Sequence, residues 1–101
     1  MNSKLNDKNI EYLFKSILSL SSLDECYNFF EDLCTIQELK SMSQRLYVAK
    51  LLSENHVYNE IVEMTGASTA TISRVNRTLQ YGNESYKVIF SRLKSEENPE
   101  K

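Results

Sequence analysis

The chain has 101 residues, of which 41% are apolar and 26% charged, with a formal net charge of −2. That length suits one domain, and no apolar run nears the roughly 18 residues a membrane span needs, so no membrane partner is expected. The slight acidity excludes nucleic-acid binding by bulk charge. It is also uneven: residues 1–36 carry three Lys against six acids, whereas residues 37–80 carry five bases against four acids.

Gly66, Gly82 and Pro99 are the only Gly and Pro residues, which favours long helices with few connections. The opening segment Met1–Asp7 is too polar for a secretory signal, so a cytoplasmic location is expected. Ile10, Leu13, Phe14, Ile17 and Leu18 then recur at the spacing of an amphipathic helix. The run Ser19–Ser22 interrupts it. Ser22 and Glu25 stand as a capping box at the start of a second helix, whose stripe is Cys26, Phe29, Phe30 and Leu33. A second box, Thr35 with Glu38, opens a longer helix to about Ser53. Its expected core face is Leu39, Met42, Leu46 and Ala49, widened by Val48 and Leu52.

A short helix over Tyr58–Thr65 follows, then Gly66 in a tight turn, then a helix from an N-cap at Ser68 to about Gln80. Gly82 reads as a C-terminal glycine, and Asn83 as the cap of a last helix carrying Tyr86, Ile89, Phe90 and Leu93. No segment alternates as a strand would. The fold class expected is therefore all-α, a single helical domain over 1–94 with a charged tail at 95–101 that frays.

Function concentrates in residues 58–80, where the pattern is that of a helix-turn-helix. Such a motif needs a short first helix with an inward apolar residue, a turn glycine, and a second helix with one apolar and one polar face. Ile61 and Gly66 supply the first two. On the second helix Ile72, Val75 and Leu79 cluster on one side, while Ala70, Ser73, Arg74 and Arg77 gather on the other with Thr69 at the edge. Short residues let the backbone approach base edges, hydroxyls bond bases or phosphates, and Arg takes guanine in a fork. Ser68 and the free amides after it suit a phosphate. The candidate DNA-binding residues are thus Ser68, Thr69, Ala70, Ser73, Arg74 and Arg77. Val62 is larger than the residue such motifs usually keep there, so the packing is expected to open slightly. The alternative is an αα-hairpin with a solvated polar face, a helical protein–protein interaction module that keeps the scaffold without specific DNA binding.

The segment Thr65–Val75, Thr-Gly-Ala-Ser-Thr-Ala-Thr-Ile-Ser-Arg-Val, resembles the Trp-repressor superfamily, and within it the YerC/YecD-type proteins. Thr35-Ile36-Gln37-Glu38-Leu39, Gln44-Arg45 and Tyr81-Gly82-Asn83 extend the likeness through Leu33–Tyr86. The resemblance implies a six-helix fold and an intertwined homodimer that sets two recognition helices in successive major grooves of double-stranded DNA. Ile10, Phe14, Phe29, Phe30, Ile89 and Phe90 are then the dimer-core candidates. It also implies a transcriptional regulator, a repressor by analogy. The family's repressor binds tryptophan between its central and recognition helices. Arg74 matches the arginine that stacks on the indole, and Arg45 is the nearest counterpart of the second pocket arginine, so these two are the ligand-binding candidates. Val75 stands where that repressor has a glycine, which takes the space of the ring. Tryptophan is therefore not expected, and either no cofactor or a different effector is.

No enzyme is expected, because neither a phosphate loop nor a nucleophile motif is present. His56 is the only histidine and has no acid at a suggestive spacing. Glu60 and Glu63 read as a solvated face. Cys26 and Cys34 lack metal-ligand spacing, so no metal is expected and buried, reduced thiols are.

Overall fold

The computed structural model describes residues 7–97. These form six helices and no strand: α1 Lys8–Leu18, α2 Leu23–Leu33, α3 Ile36–Ser53, α4 Tyr58–Thr65, α5 Thr69–Tyr81 and α6 Ser85–Glu97. The all-α expectation holds. The chain divides into two compact units, Met1–Leu39 and Lys40–Lys101. Helix α6 runs to Glu97, and the rest of the segment read as a charged tail lies outside the described residues.

In the first unit, local side chains start and stop the helices. The Asp7 carboxylate accepts from Asn9 N at 2.6 Å and begins α1. Ser22 Oγ accepts from Glu25 N at 3.1 Å and begins α2. The returning half of that expected box goes elsewhere, since Glu25 Oε1 accepts from the Ser21 backbone N–H at 2.7 Å and from its hydroxyl at 3.0 Å. The Thr35–Glu38 box closes in both directions, at 2.8 and 3.1 Å. Neither α1 nor α2 contains a buried residue. Phe14, Leu18 and Leu33 are exposed and the other stripe residues only half-buried, so the apolar stripes of this unit are incompletely covered in the single chain. Cys26 and Cys34 are free and half-buried rather than buried, as the shallow packing of α2 dictates.

The two box carboxylates tie stability to pH. Hydrogen bonds from the Ser21 backbone N–H, and then from its side chain, hold Glu25 below the usual glutamate range. Thr35 does the same for Glu38. A carboxyl held low in the folded chain stabilises it fully above the ordinary glutamate pKa, and that contribution is lost as pH falls through the lowered value. The thermal midpoint of the Glu25→Gln, Glu38→Gln double variant is therefore expected to vary less with pH, across and below the glutamate range, than that of the wild type. Parallel curves would remove these two groups as the cause.

The second unit holds the core: Val48, Ala49 and Leu51 of α3, Ile61 of α4, Ala67 in the turn, and Ile72 and Val75 of α5. Leu52, Tyr58, Tyr86 and Phe90 pack around them. The buried face of α3 is thus centred one turn later than expected, for Met42 and Leu46 are exposed while Leu51 is buried. Asn55 takes a left-handed φ of 67° and ends the run after α3. Gly66 does the same after α4, with φ 74° and its N–H donated to Val62 O. A Cβ there would meet nothing within 4 Å, so the glycine is required by backbone conformation alone. Gly66→Ala should then cost about 1 kcal/mol of conformational strain, read as a shifted denaturation midpoint. A neutral effect would mean the turn relaxes out of the left-handed region.

Gly82 differs from its expected role. Its φ of −88° is not left-handed; a Cβ there would instead run into the carbonyl of Thr78. Asn83 makes no cap bond among the described residues, and Glu84 turns the chain into α6 with φ 63°.

Candidate nucleic-acid interface

The turn and its two helices are built from α4, Gly66 and α5. Ile61 is fully buried from the α4 side, and Ala67, Ile72 and Val75 are buried from the α5 side, so the pair is clamped on one apolar face. Val62 is 36% exposed and stays outside the buried cluster. Ser68 Oγ accepts from Thr71 N at 3.1 Å and shares a bond with Thr71 Oγ1, fixing the first turn of α5.

Beyond the cap, Thr69, Ala70, Ser73, Arg74 and Arg77 are exposed, as is Ser68 itself. Ala70, Ser73, Arg74 and Arg77 share the side of α5 opposite Ile72 and Val75, with Thr69 at its edge and Ser68 at the cap. No acid lies within ion-pair distance of Arg74 or Arg77 among the described residues, so both guanidinium groups are available to a phosphate or a base edge. Sequence reasoning did not single out Gln80, which ends the same exposed side and donates to Asn76 Oδ1 at 3.3 Å.

Arg45 and Arg74 line one cleft of about 440 Å³, with Gln44, Thr71, Val75 and Tyr86 among its other walls. The structure thus brings the two ligand-binding candidates together. Val75 is only 4% exposed and belongs to the core cluster, so its side chain is part of the packed wall.

The histidine has a partner that sequence spacing did not suggest. His56 Nδ1 lies 3.7 Å from Glu60 Oε1, and the same carboxylate oxygen accepts from Val57 N at 3.0 Å. The group thus serves the start of α4. Glu60 and Glu63 are both exposed. No set of three His, Cys, Asp or Glu side chains could hold a metal among the described residues, and no described helix is long and apolar enough to cross a membrane.

Comparison with known proteins matches this arrangement. The family model for the Trp repressor protein matches residues 8–94. The uncharacterized protein YerC of Bacillus subtilis (strain 168) is 55% identical over 94 residues, covering 93% of this chain and 90% of its own. The crystal structure of a TrpR-like protein from Eubacterium eligens ATCC 27750 superposes with a TM-score of 0.88 at 60% identity, over 91% of this chain and 95% of the other. A candidate Trp repressor from Staphylococcus aureus has a TM-score of 0.88 at 48% identity, over 93% and 95% of the two chains.

Proposed function

The chain belongs to the Trp repressor protein family, a family of DNA-binding regulators, and from that premise we propose that it is a sequence-specific, homodimeric transcriptional repressor that works without tryptophan. The observation that carries the DNA reading is the exposed, basic, short-chained side of α5 held against a fully packed apolar side. Ser68, Thr69, Ala70, Ser73, Arg74 and Arg77 approach the major groove, the first at the phosphates and the arginines at base edges or backbone.

Pairing with a second copy is supported by what the single chain leaves uncovered. Phe14 and Ile89 are exposed, Ile10, Phe29, Phe30 and Phe90 are half-buried, and α1, α2 and α6 bury no residue. A partner chain covers such stripes at lower cost than water does.

Against tryptophan, the supporting observation is Val75. An indole beside Arg74 needs the volume that this packed side chain fills, and burying a ring there would mean expelling it. Added tryptophan is expected to leave both the thermal midpoint and the affinity for DNA unchanged. A raised midpoint at saturating tryptophan would overturn that expectation, since a ligand of the folded state must stabilise it.

Selection of duplexes from genomic fragments, followed by titration of the enriched duplex across a salt series, tests the DNA reading. One near-palindromic site bound by two chains with a steep salt slope is the expected result. Absence of any enriched site would favour the protein-interaction alternative, to which the net charge of −2 gives some support.

A further inference from the structure

We infer that Gln44, on α3, is a positioning residue that sets the direction in which the recognition helix α5 leaves the turn; the inference rests on the DNA-binding reading. Gln44 Nε2 donates to the carbonyl of Thr65 at 3.1 Å, across 21 residues of chain. Every other side-chain hydrogen bond among the described residues joins partners at most four positions apart. It is therefore the one directional side-chain link between the central helix and the helix-turn-helix.

The acceptor is well chosen for that task. Thr65 is the last residue of α4, and its carbonyl is one of the groups that a helix end leaves without an intrahelical partner. The same residue gathers the turn around itself: Thr65 Oγ1 donates to Ile61 O at 2.7 Å and accepts from Ala67 N at 3.0 Å. One residue past Ala67, Ser68 caps α5. Rotation of the Thr65–Gly66 peptide plane is thus passed directly to the first turn of α5. Apolar packing of Val48 against Ile61 and Ile72 fixes how close α3 lies but is poorly directional, whereas a hydrogen bond weakens steeply off-line. Without the donor, the partly buried carbonyl is left to turn toward water.

The test uses the full chain with Gln44→Met, which keeps the length of the side chain and removes the donor, and Gln44→Lys, which keeps a donor of similar reach. The readout is the ratio of affinities for the selected duplex and for a scrambled duplex, with the orientation of α5 against α3 followed by residual dipolar couplings. Gln44→Met is expected to lower the ratio about tenfold, the size of one lost hydrogen bond to a partly buried acceptor. Affinity for the scrambled duplex should hold, because phosphate contacts tolerate a tilted helix. Gln44→Lys should restore the ratio; its added charge raises both affinities and cancels. A role in stability alone would lower the thermal midpoint of Gln44→Met and leave the ratio unchanged, which would overturn the inference. If Met unfolds the chain, Gln44→Glu repeats the test without a donor at neutral pH. If the wild type prefers no duplex, the DNA reading has failed, and the couplings alone decide: an unchanged α5 orientation in Gln44→Met overturns the inference, and a tilted one upholds it.

Discussion

Ile61→Ala lowers the stability of the folded chain by about 2–5 kcal/mol, the range for emptying a fully buried aliphatic site. Ile61 is 0% exposed and belongs to the cluster where α3, α4 and α5 meet, with Val48, Ala49, Leu51, Ala67, Ile72 and Val75. Among the described residues the buried cluster is those seven, flanked by half-buried Leu52, Tyr58, Tyr86 and Phe90, so the space can close only partly. A domain of this size holds only about 5–15 kcal/mol in all. The loss should show as a lower denaturant midpoint with an unchanged slope, and DNA affinity should fall with it because the cavity lies directly behind the turn. A decrease below about 1 kcal/mol would mean that Ile61 is less tightly packed than its burial indicates.

Arg77→Ala is expected to weaken binding of the selected duplex by about 1–3 kcal/mol, if the guanidinium forks onto a guanine. Arg77 is exposed on the outer side of α5 and has no acid within ion-pair distance among the described residues, so little in the free protein should change. The salt series separates two roles. Loss of a base contact should leave the slope of log affinity against log salt nearly intact and relax preference at one base pair. Loss of a phosphate contact should reduce the slope by about one and weaken all duplexes alike. Unchanged affinity would remove Arg77 from the interface.

What the sequence disclosed was local. Capping residues announce helix starts within three positions, so Ser22, Thr35 and Ser68 begin helices through bonds of that reach, whereas the cap at Asp7 was not singled out. Apolar spacing and Gly66 located the helix-turn-helix, and the stripe Ile72–Val75–Leu79 separated its inner side from the exposed Ser73 and Arg77. Features that depend on a distant partner stayed hidden. Helix α3 is apolar on more than one side, so periodicity alone could not say that Leu51, rather than Leu46, faces the core. Gly82 carries the residue type of a left-handed cap but serves a close approach to Thr78, which only coordinates reveal. Gln44 stands in a motif shared with the family, yet its partner is a backbone carbonyl, and no residue type marks that.

The incompletely covered stripes of α1 and α2 have a consequence for how such a regulator responds to its own abundance. If a second copy covers them, folding and pairing draw on the same free energy, and at low copy number the concentration of the paired form rises with the square of chain concentration. A few chains per cell would then be largely single and less stable, and a modest rise in synthesis would raise the paired form more than proportionally. The sharpness of the switch would come from those uncovered leucines and aromatics, with no small molecule needed to supply it.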